Sequence, residues 1–221
     1  MINITDLTYR RDNSVVLDSI NMTVEKNTVC GVIGDDRKGL CALADICAGA
    51  VIATQGQVSV CGFDIQKNRL SAAARIGYMP EGMSYYENMS VIDYLSFVAE
   101  AKDLPFTEAQ QSIKSALAAT DLYDARNLRI AQLNNIGKIR VGLCQAILSN
   151  PEVLILGCST KNLADDKAGD VFKLIKRLSR SRAVLITSDD DRVRDICSSI
   201  VRLSEGKILS DTEEISESEE D

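Results

Sequence analysis

The chain has 221 residues, 45% apolar and 26% charged, with 25 Lys plus Arg against 32 Asp plus Glu; that composition can fill the core of one large domain or two small ones. Seven of the acids fall within the last eleven residues, Asp211 to Asp221, with no base among them, which leaves 25 acids against 25 bases in the body. A neutral body with an acidic end argues against an electrostatic nucleic-acid binder, which needs a net basic domain or stripe.

The chain contains no histidine, so the commonest metal ligand and the commonest general base at neutral pH are missing. Hydrolytic chemistry would have to run on carboxylates. The seven cysteines, Cys30, Cys41, Cys47, Cys61, Cys144, Cys158 and Cys197, are odd in number, contain no CxxC pair and mostly sit in apolar segments, the pattern of reduced, buried thiols in a cytosolic protein. No basic-then-apolar leader opens the chain, and no apolar run approaches the roughly 18 residues that span a bilayer. The expectation is a soluble protein able to dock on a membrane partner.

In chain order, β-rich runs are predicted at 15–24, 28–33, 57–60 and 76–79, and again at 153–156, 184–187 and 200–203. Val29 to Ile33 and Val153 to Leu156 show little polar alternation, as strands buried on both faces of a parallel sheet do. Residues 90–149 read as almost pure helix. Ser90 with Asp93, and Thr107 with Gln110, have the spacing of an N-cap and its third helical residue, and Pro105 pushes Leu104 out of helical geometry and ends the first of these helices. Further helices are predicted over 137–148 and 166–178, the latter carrying Ala168, Val171, Ile175 and Leu178 on one stripe. The chain after Lys207 has too few apolar residues to offset its ordering entropy and is expected to be mobile.

The order of segments resembles a known family. Gly31-Val-Ile-Gly34 leads through a short loop toward Ala48-Gly49, and Arg75-Ile-Gly-Tyr-Met-Pro-Glu81, Tyr86-Glu-Asn-Met-Ser-Val91, Arg140-Val-Gly-Leu-Cys-Gln-Ala-Ile147 and Asn150-Pro-Glu-Val-Leu-Ile-Leu156 follow at the right spacings. Together they are similar to the nucleotide-binding subunit of ATP-binding cassette (ABC) transporters, in a branch whose glutamine loop reads Pro-Glu. The resemblance covers roughly residues 2–210. It implies an α/β fold of the P-loop NTPase type, with a mostly parallel central sheet, an antiparallel β part at the N-terminal side and a helical insert at about 82–149. One domain is expected over 1–210, with an acidic tail at 211–221.

The family's chemistry rests on motifs that this chain departs from. The phosphate loop, GxxxxGK followed by Ser or Thr, cradles phosphates on backbone amides, with the Lys on the β and γ groups and the hydroxyl on Mg²⁺. Here it is matched by Gly34-Asp35-Asp36-Arg37-Lys38-Gly39-Leu40-Cys41-Ala42. Leu40 stands at the lysine position and Cys41 at the metal-ligand position, where a thiol suits Mg²⁺ poorly. Losing one ammonium-phosphate contact costs roughly 1.5–3 kcal/mol, about ten- to hundredfold in affinity. Asp35 and Asp36 add repulsion of roughly 1–4 kcal/mol each, against which Lys38 or Arg37 would have to compensate. Gly34 and Gly39 also read simply as small residues in a strand-to-helix turn.

Other matched positions depart too. Gly157 and Cys158 replace the metal-holding Asp and the water-polarising Glu, and a thiol without a His is an unactivated nucleophile, so Cys158 reads as a packed structural thiol. Asp189 matches the switch histidine, and the acids at 189–191 read as capping and dipole-complementing residues rather than a cation site. Ala164 matches the loop aspartate. The signature loop is Leu133-Asn134-Asn135-Ile136-Gly137, in which Ile136 replaces a glycine that permits close approach of phosphate to a helix N-terminus. By segment length Arg11 matches the adenine-stacking aromatic, with Tyr9 two residues away as a substitute or, more simply, as a half-buried strand residue. Glu81 does fit the branch pattern; in the family that loop couples nucleotide to the membrane subunit, and the resemblance makes the following stretch, 82–101, the place where a transmembrane partner is expected to dock.

These departures cluster at phosphate-facing positions while strand cores and glycine turns keep the family pattern. They point to a pseudo-ATPase with no bound cofactor, where the family uses ATP and Mg. Such a chain is expected at the inner face of the membrane as a structural or regulatory partner of a transmembrane subunit or of a competent ABC ATPase subunit. The alternatives are an active or weakly active ATPase using Lys38 and the acids at 189–191, a free-standing interaction protein using its acidic tail, and an engineered null version of a transporter ATPase.

Overall fold

A computed structural model describes residues 1–157, 160–161 and 163–214, with backbone alone over 210–214. The antiparallel part is built from strands in the first 64 residues. β1 (Ile2–Arg11), β2 (Ser14–Val24), β4 (Gln55–Val60) and β5 (Phe63–Asp64) make a four-stranded sheet in the order β2-β1-β4-β5. A second, six-stranded sheet runs β10 (Lys207–Glu214), β9 (Ser199–Ser204), β3 (Val29–Ile33), β8 (Ala183–Ser188), β7 (Val153–Gly157), β6 (Ile76–Met79). Its strands pair in parallel except β10, which is antiparallel to β9. The expected mixed α/β fold with an antiparallel N-terminal part is the one observed.

The weak polar alternation of the central strands has a direct cause. In β7, Val153 and Ile155 face one apolar cluster while Leu154 and Leu156 face another, and in β8 Ala183 and Leu185 divide from Val184 and Ile186 in the same way. Both faces of the sheet are therefore covered, as parallel sheets require. On one side α1 (Arg37–Cys47) lies between the two sheets, with the short α2 (Arg69–Ala73) beyond it; on the other lie α3 (Val91–Ala101), α4 (Phe106–Ala119), α5 (Asn135–Ile147) and α6 (Asp165–Ser179).

Several local expectations need correction. α3 starts at Ser90, whose hydroxyl accepts from the Asp93 amide at 3.2 Å, but Pro105 does not end it. The helix stops at Ala101 because Asp103 turns left-handed (φ 54°), with the Asp103 amide donating to the Glu100 carbonyl and the Leu104 amide to the Ala99 carbonyl. That is a Schellman closure, complete before the proline is reached. α4 is capped by Pro105 and not Thr107, because Pro105 is already extended (ψ 142°) and its carbonyl takes the first helical bond, from Ala109 at 2.8 Å. The stretch 120–134 is turns plus a three-residue 3-10 segment, Ile130–Gln132, so the insert is not pure helix. The chain beyond Lys207 forms β10 as far as Glu214, since an antiparallel partner, β9, satisfies its backbone. The rest of the expected mobile tail, 215–221, lies outside the described residues.

Four of the six described cysteines, Cys30, Cys47, Cys144 and Cys197, are buried thiols as expected, whereas Cys41 and Cys61 are half-exposed.

Candidate functional site

The carboxyl ends of the central strands bring the predicted site residues to one edge of the sheet. Gly34 follows β3, Glu81 follows β6, Gly157 ends β7 and Asp189 follows β8. This is where open α/β sheets place ligands.

The turn from β3 into α1 is short, because α1 begins at Arg37 and leaves only Gly34, Asp35 and Asp36 as loop. Gly34 is obligatory there, since a Cβ would come within 2.0 Å of the Leu203 carbonyl oxygen. Asp36 is the N-cap of α1: its Oδ1 accepts from the Gly39 amide at 3.0 Å and its Oδ2 from the Gly206 amide at 3.0 Å. The Leu40 amide donates to the Asp36 carbonyl at 2.9 Å. The helix N-terminus that attracts anions thus already holds a carboxylate of its own. Asp36 does more than repel phosphate, because it fills the hydrogen-bonding role phosphate would take.

The side chains of α1 are equally committed. Leu40 is 3% exposed and belongs to the cluster between the sheets, as does Ala42. Lys38 is exposed. Arg37 cannot serve as the compensating cation, because it grips Glu81, Nη2 to Oε1 at 2.9 Å and Nε to Oε2 at 3.3 Å. Cys41 donates its thiol hydrogen to Glu81 Oε2, with Sγ at 3.3 Å. Burial, and then the Glu81 carboxylate, push this thiol up to about 11. At neutral pH it is neither a thiolate nucleophile nor a hard oxygen ligand.

Gly157 ends β7 with the backbone of Glu81 pressed against it, and a Cβ there would lie 2.6 Å from the Glu81 amide nitrogen. A carboxylate at position 157 has no room unless the loop after β6 moves. Cys158 lies outside the described residues.

At the end of β8 the three acids part ways. Asp189 pairs with Lys161, Oδ2 to Nζ at 3.8 Å, and the same ammonium lies 3.9 Å from Asp35 Oδ1. Asp190 is buried and caps the following 3-10 turn, Asp191–Ile196, by accepting from the Arg192 amide. It also accepts a short hydrogen bond from the Thr160 hydroxyl and pairs with the Arg192 guanidinium at 2.8 Å. Burial opposes ionisation of Asp190, but those donors outweigh it and hold the carboxyl below its usual range. Arg192 reaches further, donating to the carbonyls of Thr160 (2.7 Å) and Leu163 (3.2 Å) and pairing with Asp165 at 2.6 Å. Asp191 pairs with Arg202 at 3.8 Å. The acids at 189–191 are thus tied to Lys161, Arg192 and Arg202; of the three, Asp190 is the cap and Asp191 lies in the first turn, while Asp189 pairs with Lys161. Ala164 is the N-cap residue of α6 and provides no side-chain acceptor.

Of the signature-loop residues, Asn135 lines a cleft of about 600 Å³ together with Arg37, Glu81, Tyr85, Lys138 and Gly157 among others. Asn134 caps α5, its Oδ1 accepting from the Gly137 amide at 2.8 Å. Ile136 is half-buried and packs on the helical cluster together with Leu133. Both helix N-termini facing the cleft, those of α1 and α5, are therefore self-capped. Tyr9 is half-buried against the core between the sheets and Arg11, which carries no ring, is exposed.

The residues present do not fit a magnesium-bound triphosphate: the Arg37, Gly39 and Leu40 amides are bonded to Asp35 and Asp36, Leu40 points inward, and the sulfur of Cys41 faces a carboxylate. Sequence reasoning missed Lys161 and Arg192, and weighed Arg37 as a compensating cation without seeing its pairing with Glu81. A lysine one residue beyond Thr160 and an arginine directly after three acids were the available signals.

The chain is 26% identical over 204 residues to a methionine import ATP-binding protein, MetN, of Histophilus somni, covering 89% of this chain and 59% of that one. It spans 59–64% of the length of three such methionine-import relatives. Among solved structures it is similar to the dimeric bacterial ABC transporter cassette MJ0796, with TM-score 0.81, 17% identity and coverage of 97% of this chain and 98% of that one. It is also similar to cbiO1 of Clostridium perfringens, described as part of the ABC transporter complex cbiONQ, with TM-score 0.79, 21% identity and coverage of 94% and 86%. The family model for ABC transporters matches residues 17–157. With the shared two-sheet fold, the strand-end site and that match over more than half its length, the chain belongs to the ABC transporter family as an ATP-binding cassette domain.

Proposed function

We propose that this chain is a cassette subunit that neither binds nor hydrolyses ATP and serves a membrane transporter as a structural or regulatory partner. The observation that carries the reading is Asp36: its carboxylate sits on the Gly39 and Gly206 amides, so a triphosphate would have to displace an anion that is covalently part of the loop. Leu40 and Cys41 offer it no cation and no metal in return. A working ATPase built on Lys38 would need Asp36 to leave the helix N-terminus.

A transmembrane subunit is the proposed partner, held at the inner face of the membrane. None of the helices among the described residues is long and apolar enough to cross a membrane. The stretch 82–101 exposes Tyr86 (60%) and Phe97 (45%), whose rings meet edge to face at 5.4 Å, an aromatic pair suited to an interface. The cbiO1 and MetN relatives, named for a transporter complex and for import, support this placement. A competent cassette as the second half of a heterodimer belongs to the same proposal.

Equilibrium binding of a fluorescent ATP analogue with Mg²⁺ tests the reading against the Leu40→Lys/Cys41→Ser double variant. No saturable binding to the unaltered chain is expected; micromolar affinity would contradict it. Co-purification with membrane proteins, with Tyr86→Ser/Phe97→Ser as the comparison, tests the partner.

A further inference from the structure

We infer that Arg37, Glu81 and Cys41 form a built-in clamp that fixes the phosphate-loop helix to the loop after β6 without any nucleotide. The inference rests on the non-binding reading above and adds how the loop is held in its place. Both oxygens of Glu81 are used: Oε1 by Arg37 Nη2, and Oε2 by Arg37 Nε and the Cys41 thiol. Arg37 and Cys41 lie four residues apart on α1, hence on one helix face, and the guanidinium presents its two N–H groups as a fork that matches a carboxylate.

The Glu81 side chain is 15% exposed although that of Arg37 is 67% exposed, so the acceptor is sheltered while its cation covers it from the solvent side. The Glu81 backbone also rests on Gly157, where no side chain intervenes. The loop is therefore held through both the side chain and the backbone of Glu81.

The connection continues into the helical part. The Tyr85 hydroxyl donates to the Lys138 carbonyl at 2.7 Å, Lys138 Nζ pairs with Glu87 at 2.6 Å, and the Gln145 amide donates to the Met83 sulfur at 3.6 Å. Gly142 lets α5 close on this loop, since a Cβ there would meet the Met79 sulfur at 2.7 Å and the Tyr85 oxygen at 2.8 Å. An unbroken set of contacts runs from α1 through residues 81–87 to α5. An ion pair of the chain's own at its root biases the surface at 82–101 toward one arrangement without a dissociable ligand.

Hydrogen exchange over the whole chain tests the clamp, in the unaltered protein, Arg37→Met, Glu81→Gln and the charge-swapped Arg37→Glu/Glu81→Arg. Arg37→Met is expected to speed exchange over 80–88 about fivefold, the upper range for a partly exposed pair, while β8 is unchanged. Glu81→Gln should act similarly and the charge swap should slow the loop again. Unchanged exchange over 80–88 in Arg37→Met, or an equal rise in β8, overturns the clamp. Each protein is also measured with Mg-ATP. Slower exchange over 34–41 in the unaltered chain would contradict the non-binding reading whatever Arg37 does, so the two failures are separable.

Discussion

Replacing Asp36 by Ala removes the acceptor of two amide hydrogen bonds, from Gly39 and Gly206, each at 3.0 Å. Loss of an N-cap of this kind costs about 1 kcal/mol. The second bond joins a charged acceptor to the turn between β9 and β10; because Asp36 is half-exposed, about 1 kcal/mol is a fair allowance after screening. The sum, about 2 kcal/mol, corresponds to roughly 4–8 °C in Tm for a domain of this size. Asp36→Asn keeps one acceptor and should lose about half as much. The assay is thermal unfolding with and without 20–50 mM sulfate, roughly: the Ala variant, with the Gly39 amide freed, should regain more stability from the anion than the unaltered chain. If Asp36→Ala melts within about 1 °C of the parent, the carboxylate is not filling the anion position, and the reasoning from the self-capped loop fails.

Restoring a carboxylate with Gly157→Asp should destabilise by about 1–3 kcal/mol in urea titration, because the new Cβ meets the Glu81 amide at 2.6 Å; a neutral outcome would mean that the loop after β6 yields freely. Cys41, its thiol lifted from 9.0 to about 11, should react with iodoacetamide at pH 8 about a hundredfold more slowly than an unperturbed thiol, and Glu81→Gln should speed it, as read by mass spectrometry. The same lift makes protonated Cys41 a stabiliser that is fully present below pH 9 and lost as pH rises toward about 11. Asp190 works in the opposite sense: held below its ordinary 3.8, it stabilises the fold at higher pH, and the contribution is lost as pH falls through and below that value. Arg192→Gln should therefore flatten the acid limb of the urea midpoint plotted against pH, and an unchanged limb would count against the pair.

Much of the fold is legible in the residues because both sheet faces are apolar and glycines fall where backbones touch. Val153 to Leu156 announces a doubly covered strand, and Gly34 a close approach. Helix ends are less legible: Pro105 looks like a terminator, yet the left-handed Asp103 closes α3 before it. β10 is hidden because its stability comes from pairing with β9 and not from its own apolar content. At the site, the missing lysine and hydroxyl are visible as Leu40 and Cys41. What replaces them is not, since Asp36 on Gly39 and Gly206, Arg37 on Glu81, and Lys161 between Asp35 and Asp189 join residues up to 170 positions apart. Charge alone cannot distinguish an aspartate that repels a phosphate from one that occupies its place.

The central claim is that Asp36 already holds the position at the head of α1 that a phosphate would need. Crystals soaked in magnesium and ATP test it most directly. The account predicts Asp36 still hydrogen-bonded to the Gly39 and Gly206 amides, with no ordered triphosphate in the loop; a triphosphate resting on the Gly39 amide, with Asp36 swung aside and Lys38 reaching in, would contradict it.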